Sequence, residues 1–151
     1  MEKRAERFTL ITQNVDGLHD LAGSVNVIKL HGDIWSVRCT VCGKERVERA
    51  ELNDLPPHCA CGGILRPGVV WFGEALPEGA IEAAAKAVQE SEVFIVAGTS
   101  AQVYPAAGLI PLAIRSGATV IEINPEATEF SSDVTFTLRG SSAEILPQLL
   151  R

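Results

Sequence analysis

The sequence predicts an α/β protein built on a doubly wound, Rossmann-like parallel sheet, with a second module inserted into it. Two observations predict the sheet. Apolar runs of strand length at 8–12, 92–98 and 119–123 each end in polar residues, and segments with helical periodicity lie between them. A third observation predicts the insertion, because residues 34–66 hold all four cysteines among charged, proline and glycine residues. Such a stretch cannot form much of an apolar core by itself.

Composition and charge exclude several classes of protein. The 151 residues suit one domain of ordinary size, and 46% hydrophobic residues are enough to fill a core. A net charge of −6 and a pI near 5.0 argue against nonspecific binding to nucleic acid or to anionic membranes. No apolar run approaches the roughly 20 residues of a membrane helix, and the charged start is unlike a signal or transit peptide. We expect a cytoplasmic protein that has no membrane or direct nucleic-acid partner. The oligomeric state is not indicated.

The first third of the chain reads as strand, helix, strand. Residues 1–7 resemble the charged end of a helix, and 8–12 is an apolar strand. A short helix is predicted at 17–23, closed by its final glycine, and a second strand follows at about 26–30.

Polar side chains follow both of these strands. Gln13, Asn14 and Asp16 come after the first strand, and His31 comes after the second. Ligands of open α/β sheets bind outside the carboxyl ends of the strands, so these side chains are expected to gather at one rim and bind a polar ligand. The structural alternatives are that Asn14 or Asp16 caps the helix and that His31 is an ordinary structural histidine.

The four cysteines form two close pairs. Cys39 and Cys42 are separated by two residues, and Cys59 and Cys61 by one residue instead of the usual two. Two such pairs suit a structural zinc ion with four thiolate ligands, which leaves no open catalytic position. The alternatives are two disulfides or buried thiols. An acidic chain without a secretion signal favours zinc, with His58 as a bystander.

The segment 66–74 is apolar and bounded by Pro67 and Gly73, which indicates an edge strand or a loop. An edge strand can pair with an extended peptide through its backbone. The alternative is that the apolar side chains of 69–72 pack in a core.

The second half of the chain alternates helices and strands. A helix is predicted from Pro77, with an apolar face formed by Ile81, Ala84, Ala85 and Val88, before the buried strand 92–98. The next helix, 105–117, contains Pro111, which is expected to kink or split it. Strands at 119–123 and 134–138 follow. Ser141 and Glu144 form a capping box for the last helix.

The turn after strand 92–98 is a candidate nucleotide contact. Gly98, Thr99 and Ser100 are small and polar, and are placed to meet a ribose or phosphate, although the alternative is a plain tight turn. A dinucleotide is the expected ligand of this architecture. The G-x-G-x-x-G fingerprint, however, does not occur in the sequence.

Taken together, the motifs resemble those of the sirtuins, the NAD-dependent protein lysine deacylases, and the resemblance covers nearly the whole chain. Segment 65–74 most resembles the branch of bacterial and desuccinylase-like members. The matching segments, in the family's order, are 12–19, 29–32, the paired cysteines, 69–74, 98–100 and 123–124.

The resemblance implies roles for individual residues. His31 would be the general base, and a histidine suits this role because its ordinary pKa lies near neutrality. The products would be nicotinamide, free lysine and O-acyl-ADP-ribose. The implied catalytic residues are His31, Asn14 and Asp16, and the implied NAD-binding residues are Gln13, Asn14, Asp16, Gly98, Thr99, Ser100, Asn124, Glu126 and Ala143. The acyl-lysine peptide would contact Val70, Phe72, Gly73, Glu74 and Val103, and one structural Zn²⁺ would bind Cys39, Cys42, Cys59 and Cys61.

The chain departs from the family at its start. Sirtuins open with a glycine-rich segment that supplies the first strand and the pyrophosphate turn, and this sequence lacks it. We therefore expect a truncated sirtuin with an incomplete sheet, in which 1–33 and 67–151 form the NAD-binding domain and 34–66 the zinc module. The alternative functions are a noncatalytic module that binds ADP-ribose or an acyl peptide, and a zinc-dependent interaction protein. The sequence does not distinguish acetyl from succinyl substrates.

Overall fold

The computed structural model describes residues 1–50 and 55–150, which form two compact units. One unit is Arg7–Ala80, and the other combines Met1–Glu6 with Ile81–Arg151. The division of the chain at 33 and 67 stays a prediction. Residues 51–54 of the predicted cysteine module lie outside the described residues.

The unit Arg7–Ala80 begins with a parallel strand pair. Strand β1 (Leu10–Thr12) pairs with β2 (Val27–Lys29), and helix α1 (Leu18–Leu21) connects them. A parallel pair needs such a crossover because its strands run in the same direction. Gly23 follows α1 with a φ of +82°, which confirms the predicted glycine at the end of this helix.

Three antiparallel strands follow in the same unit. Their order is β4 (Glu45–Val47), β3 (Gly32–Cys39), β5 (Leu65–Val69), so β5 is an edge strand, as Pro67 indicates. The small core of this sheet consists of buried Val37, Cys39 and Leu65.

The close approach of β3 to β5 requires glycine at position 32. Gly32 has a φ of +77°, and a Cβ placed there would lie 2.0 Å from the carbonyl oxygen of Gly68. Because Gly32 directly follows His31, this contact fixes the direction in which the chain leaves the end of β2.

The second unit contains a three-stranded parallel sheet. Its order is β6 (Val93–Ala97), β7 (Thr119–Ile123), β8 (Phe136–Leu138), and helix α2 (Ala80–Gln89) precedes it in the chain. A 3₁₀ turn (Ala106–Gly108) leads into α3 (Leu109–Arg115), which packs against β7. Helix α4 (Ser142–Ile145) and a 3₁₀ turn (Gln148–Leu150) end the described chain. These parallel sheets confirm the predicted α/β class.

Several predicted boundaries are corrected by the structure. Residues 1–5 form a turn closed by the bonds from Arg4 and Ala5 N–H to Met1 O, and no helix is present within 1–7, where the sequence predicts a helix end. Helix α2 begins at Ala80, since the turn that starts at Pro77 comes first. The strand predicted at 134–138 is shorter, and the one predicted at 26–30 is reduced to Val27–Lys29.

Two predictions about the later helices can be compared directly with the structure. Pro111 lies in the first turn of α3, where its missing N–H has no intrahelical acceptor, so α3 continues through it to Arg115. Ser141 caps α4, because its Oγ accepts the Glu144 N–H at 3.3 Å and donates to the Glu144 carboxylate at 2.8 Å. Among the described residues, no helix has the length and apolar character needed to cross a membrane.

Candidate functional site

His31 lies at the rim formed by the carboxyl ends of β1 and β2. Its Nδ1 is 3.1 Å from the carbonyl oxygen of Gln13. Since a carbonyl only accepts, we assign the proton of the neutral ring to Nδ1. The lone pair of this tautomer is on Nε2, which is therefore the atom that can accept a proton. The structure thus brings together the strand ends that the sequence placed at one rim.

Asn14 and Asp16 are exposed on the loop that leaves β1. The Thr12 hydroxyl accepts the Asn14 N–H at 3.1 Å, and Asp16 Oδ1 accepts the Leu18 N–H at 2.9 Å. Asp16 thus forms a local turn at the start of α1, but the N-cap residue of this helix is Gly17, so neither Asn14 nor Asp16 has the capping role that the sequence left open. Both polar side chains face solvent at the same rim as His31.

Trp35 supports this loop from β3. Its indole Nε1–H donates to the carbonyl oxygen of Asp16 at 2.8 Å, and a Cβ at Gly17 would lie 2.8 Å from Trp35 Cδ1. The guanidinium of Arg49 is 5.4 Å from the centroid of the indole ring. Sequence reasoning missed Trp35, because nothing in its local pattern shows which loop it reaches.

A charged cluster brackets His31 along the chain. The Lys29 ammonium lies 2.6 Å from the Asp20 carboxylate and 2.5 Å from the Asp33 carboxylate. Burial by itself lowers the pKa of Lys29, but the bonds to Asp20 and Asp33 outweigh it and raise that pKa. This cluster, also missed from the sequence, ties the residues on both sides of His31 to each other and to α1.

The segment after β5 is attached to His31 through the backbone. The Val70 N–H donates to His31 O at 2.9 Å, and the chain then turns, with the Glu74 N–H bonded to Trp71 O at 2.9 Å. Phe72 at the tip is 99% exposed, and Gly73 has a φ of +87°. Val69 and Val70 are half-buried, but Trp71 and Phe72 are exposed, which disfavours the alternative that all four side chains of 69–72 pack in a core.

The four cysteine sulfurs form one cluster, with all Sγ atoms within 4.8 Å of one another. The Cys39–Cys61 and Cys42–Cys59 pairs are 3.5 Å and 3.7 Å apart, much too far for disulfide bonds of about 2.05 Å. Sulfurs at tetrahedral positions about 2.3 Å from zinc lie roughly 3.8 Å apart, so this donor set fits a structural Zn²⁺. The N–H groups of Cys42 and Val41 point at Cys39 Sγ and lower the pKa of that thiol to about 6.

The second unit gathers another predicted set at the ends of β6 and β7. The Gly98 N–H donates to Ile123 O at 3.0 Å. The side-chain amide of Asn124 donates to the carbonyl oxygens of Thr99 at 3.2 Å and Glu126 at 3.1 Å. Ala143 is in the neighbouring helix α4, whose Ser142 Oγ would be 3.4 Å from a Cβ at Gly98.

Two further predicted site residues, Ser100 of the nucleotide set and Val103 of the peptide set, lie in the loop that follows β6. Ser100 is exposed in the loop after β6, and Val103 lies further along the same loop, where its carbonyl accepts the Ala107 N–H at 2.9 Å. Val103 belongs to this unit, whereas the other predicted peptide contacts are in the unit Arg7–Ala80.

A buried carboxylate that the sequence did not reveal lies beneath the loop after β7. Glu122 is 2% exposed, and accepts hydrogen bonds from Thr128 Oγ1, from Ser131 Oγ at 2.6 Å and from Arg139 Nη1 at 2.6 Å. Burial by itself raises the pKa of Glu122, but these three donors outweigh it and lower the pKa. Arg139 Nη1 also donates to Glu126 O at 2.9 Å. The network therefore holds the segment that carries the predicted nucleotide contacts.

Parallel strands with polar residues at their carboxyl ends are typical of α/β proteins of the nucleotide-binding class, and the four-cysteine cluster has the donor set of a structural zinc site. The model of the Sir2 family matches residues 1–105. The chain belongs to the Sir2 family.

Individual relatives agree with this assignment. An NAD-dependent protein deacylase of Aquifex aeolicus (strain VF5) is 54% identical over an alignment of 146 residues, and the match covers 94% of this chain and 61% of that protein. A mutant Sir2 homologue solved with 2′-O-acetyl-ADP-ribose matches with a TM-score of 0.93 and 46% identity, over 99% of this chain and 61% of that one. A Sir2 structure with a p53 peptide and NAD⁺ matches with a TM-score of 0.91 and 32% identity, over 99% and 64% of the two chains. The chain thus spans somewhat less than two thirds of each of these relatives.

Proposed function

We propose that the protein is an NAD-dependent protein lysine deacylase. The observation that carries the proposal is the geometry around His31. Its Nδ1 is bonded to Gln13 O, its Nε2 is the proton acceptor, and its backbone carbonyl holds Val70 of the proposed peptide loop. The same residue thus connects the nucleotide rim with the peptide segment. The deacylase name of the Aquifex relative and the acetyl-ADP-ribose bound to the Sir2 homologue support the proposal.

The reaction transfers the acyl group from lysine to the ADP-ribose part of NAD. The acyl oxygen attacks the anomeric carbon of the nicotinamide ribose, and nicotinamide leaves. His31 Nε2 then accepts the proton of a ribose hydroxyl, which attacks the acyl carbon. The Nδ1–H bond to Gln13 O holds the ring in orientation and stabilises the positive charge that forms. After addition of water, the products are free lysine and O-acyl-ADP-ribose.

The remaining predicted residues bind the two substrates. Asn14 and Asp16 are proposed to receive the nicotinamide carboxamide, and Gln13 the ribose. The adenosine half is proposed to bind Gly98, Thr99, Ser100 and Asn124, with Glu126 and Ala143 at its edge. An acyl-lysine peptide is proposed to lie along Val70–Glu74, with Val103 as a further contact. The zinc ion would bind the four cysteines and stabilise their module without taking part in the chemistry. A cytoplasmic location belongs to this proposal as well.

Nicotinamide release tests the function. The purified chain is given NAD with acetyl- or succinyl-lysine peptides, and His31→Asn is compared with wild type. Asparagine retains a side-chain donor for Gln13 O but has no group that replaces Nε2 as a base, so product formation should fall by at least about 10²-fold. His19→Asn is the matched control, because His19 lies on α1 and has no proposed role.

Three outcomes separate the alternatives. Release that is lost in His31→Asn and kept in His19→Asn supports the deacylase. Binding of ADP-ribose or acyl peptide without release, by a folded and zinc-loaded chain, would favour the noncatalytic binding module. Equal release by both variants would refute the role of His31.

A further inference from the structure

Arg66 contacts the segment that follows it at several points through its two terminal nitrogens, while its Nε is buried without a hydrogen-bond partner among the described residues. Its Nη1 and Nη2 lie 2.5 Å and 3.0 Å from the two carboxylate oxygens of Glu74. Nη2 also donates to the carbonyl oxygen of Val69 at 2.7 Å, and the guanidinium carbon lies 3.7 Å from the ring centroid of Trp71. The Arg66 side chain is only 15% exposed. One guanidinium therefore binds the beginning, middle and end of the segment 69–74.

The Glu74 carboxylate that binds Arg66 also binds the backbone of the turn. Its Oε2 accepts the Trp71 N–H at 3.0 Å in addition to the bond from Arg66, while the Glu74 N–H closes the turn on Trp71 O. Phe72 is 99% exposed, and Trp71 is more than half exposed. The turn consequently owes its shape mainly to polar contacts with Arg66 and Glu74, and little to burial of its own apolar side chains.

An ordinary surface ion pair would not hold a turn in one conformation. Exposed pairs contribute little, because water and salt screen them and two long side chains must be ordered. A bidentate guanidinium–carboxylate pair with a stacked aromatic ring is more directional, and lysine cannot reproduce it. The contrast is visible on the same sheet, where Arg38, opposite Arg66 in the β3–β5 register, reaches Glu45 only at 4.0 Å and through one nitrogen.

We propose that Arg66 is a positioning residue for acyl-peptide binding, which it promotes by holding segment 69–74 in its binding conformation before the peptide arrives. This inference rests on the proposed function, because it assigns the segment to the peptide. Arg66 itself does not contact the peptide. A segment ordered in advance loses less conformational entropy when a peptide pairs with it, so the effect appears in affinity and not in the chemical step.

The proposal predicts a specific pattern among variants. Arg66→Met keeps the length of the side chain but removes its donors, so the acyl-peptide Kd and KM should rise by roughly 10-fold while kcat and the ADP-ribose Kd stay within about 2-fold. Arg66→Lys should give an intermediate peptide affinity, since lysine keeps the positive charge but cannot make the two parallel hydrogen bonds to Glu74. Arg38→Met is the matched control, because Arg38 acts on Glu74 only through space, as the last of the causes that lower the pKa of that carboxyl. Since its side chain is 43% exposed, its removal should change the peptide Kd by less than about 2-fold.

Two measurements on the full zinc-loaded chain test the proposal. Fluorescence anisotropy of labelled acetyl- and succinyl-lysine peptides gives the peptide affinity. Hydrogen exchange of the Trp71 amide, followed by NMR, reports the order of the turn without any peptide. In Arg66→Met this amide should exchange at least about 10-fold faster. The amides that pair β3 with β5 should remain protected in the variant, which shows that the sheet is folded.

The outcomes distinguish this inference from the function on which it rests. Faster exchange at Trp71 with weaker peptide binding supports the inference. Unchanged exchange, or faster exchange with unchanged peptide affinity, overturns it and leaves the deacylase intact. A wild-type chain that binds no acyl peptide refutes the peptide role of segment 69–74, and the inference with it. If Arg66→Met fails to fold, Arg66→Lys provides the same comparison.

Discussion

Replacing Glu122 with glutamine should destabilise the second unit strongly. The two carboxylate oxygens accept hydrogen bonds from Thr128, Ser131 and Arg139. Glutamine retains one oxygen and places an amide donor against at least one of these donors, and it also removes the charge that pairs with Arg139. The side chain is 2% exposed, so water cannot replace the lost partner easily.

The magnitude follows from these contacts. A hydrogen bond to a charged group contributes about 1.5–3 kcal/mol net, and the substitution removes or weakens one to two of them. Arg139 is 37% exposed, which screens its part of the interaction and lowers the sum. The expected loss is therefore roughly 2–4 kcal/mol of unfolding free energy, which corresponds to a decrease in Tm of about 4–16 °C for a chain of this length.

Urea and thermal unfolding, followed by circular dichroism, measure this loss. Glu92→Gln is the matched control, because Glu92 is exposed just before β6 and should change stability by less than about 0.5 kcal/mol. The folded-state pKa of Glu122 is lowered from 4.5, so the stabilisation is fully present above about pH 4.5 and is lost as the pH falls through the lower folded pKa. The difference between wild type and Glu122→Gln should shrink below pH 4.5. A difference as small as that of Glu92→Gln at pH 7, or one independent of pH, would refute the reasoning.

Three further predictions concern the unit Arg7–Ala80. Gly32→Ala should destabilise the chain by roughly 3 kcal/mol or more, because a Cβ there meets the Gly68 carbonyl and φ is positive. Urea unfolding measures this loss, and a change below about 1 kcal/mol would contradict the contact. Cys39→Ser should reduce bound zinc, measured by mass spectrometry of the native chain, from one equivalent to well below one, since a thiolate ligand is lost; full retention would exclude a four-sulfur site. Trp35→Phe should weaken nicotinamide inhibition of the reaction by about 3–10-fold, because the bond to Asp16 O disappears. Unchanged inhibition by a folded variant would show that Trp35 does not support the nicotinamide contact of Asp16.

The parallel strands could be predicted well from the sequence. Strand β7 has the predicted bounds, and β6 is one residue shorter at each end, because buried parallel strands read as continuous apolar runs with clear polar ends. The edge position of β5 was also indicated, since Pro67 cannot donate to a strand ladder.

The antiparallel strand β3 was missed. Its inward residues Val37 and Cys39 alternate with Ser36 and Arg38, so a period of two was present in the sequence. The alternation is short, and the cysteines and charges of this region indicate metal binding more strongly than a strand. Its register with β5 depends on the close approach at Gly32, which no local pattern reveals.

The supporting residues of the site could not be predicted for a different reason. Trp35, Arg66 and Glu122 act through partners that only the fold brings near, such as the Asp16 loop 19 positions away from Trp35. Sequence pattern identifies residues by type and local spacing, and it therefore points to His31, the cysteines and the polar strand ends as candidate site residues. It does not identify the side chains that hold those residues in place.

The central claim is that the residues around His31 direct acyl transfer to ADP-ribose, and product analysis tests it most directly. The purified chain is incubated with NAD and an acyl-lysine peptide in ¹⁸O-labelled water, and the products are separated by mass spectrometry. The account predicts nicotinamide, deacylated peptide and O-acyl-ADP-ribose in equal amounts, with one ¹⁸O atom in the acyl-ADP-ribose. His31→Asn should form each of these three products at no more than about 1% of the wild-type level. Free acid in place of acyl-ADP-ribose, or deacylation that needs no NAD, would contradict it.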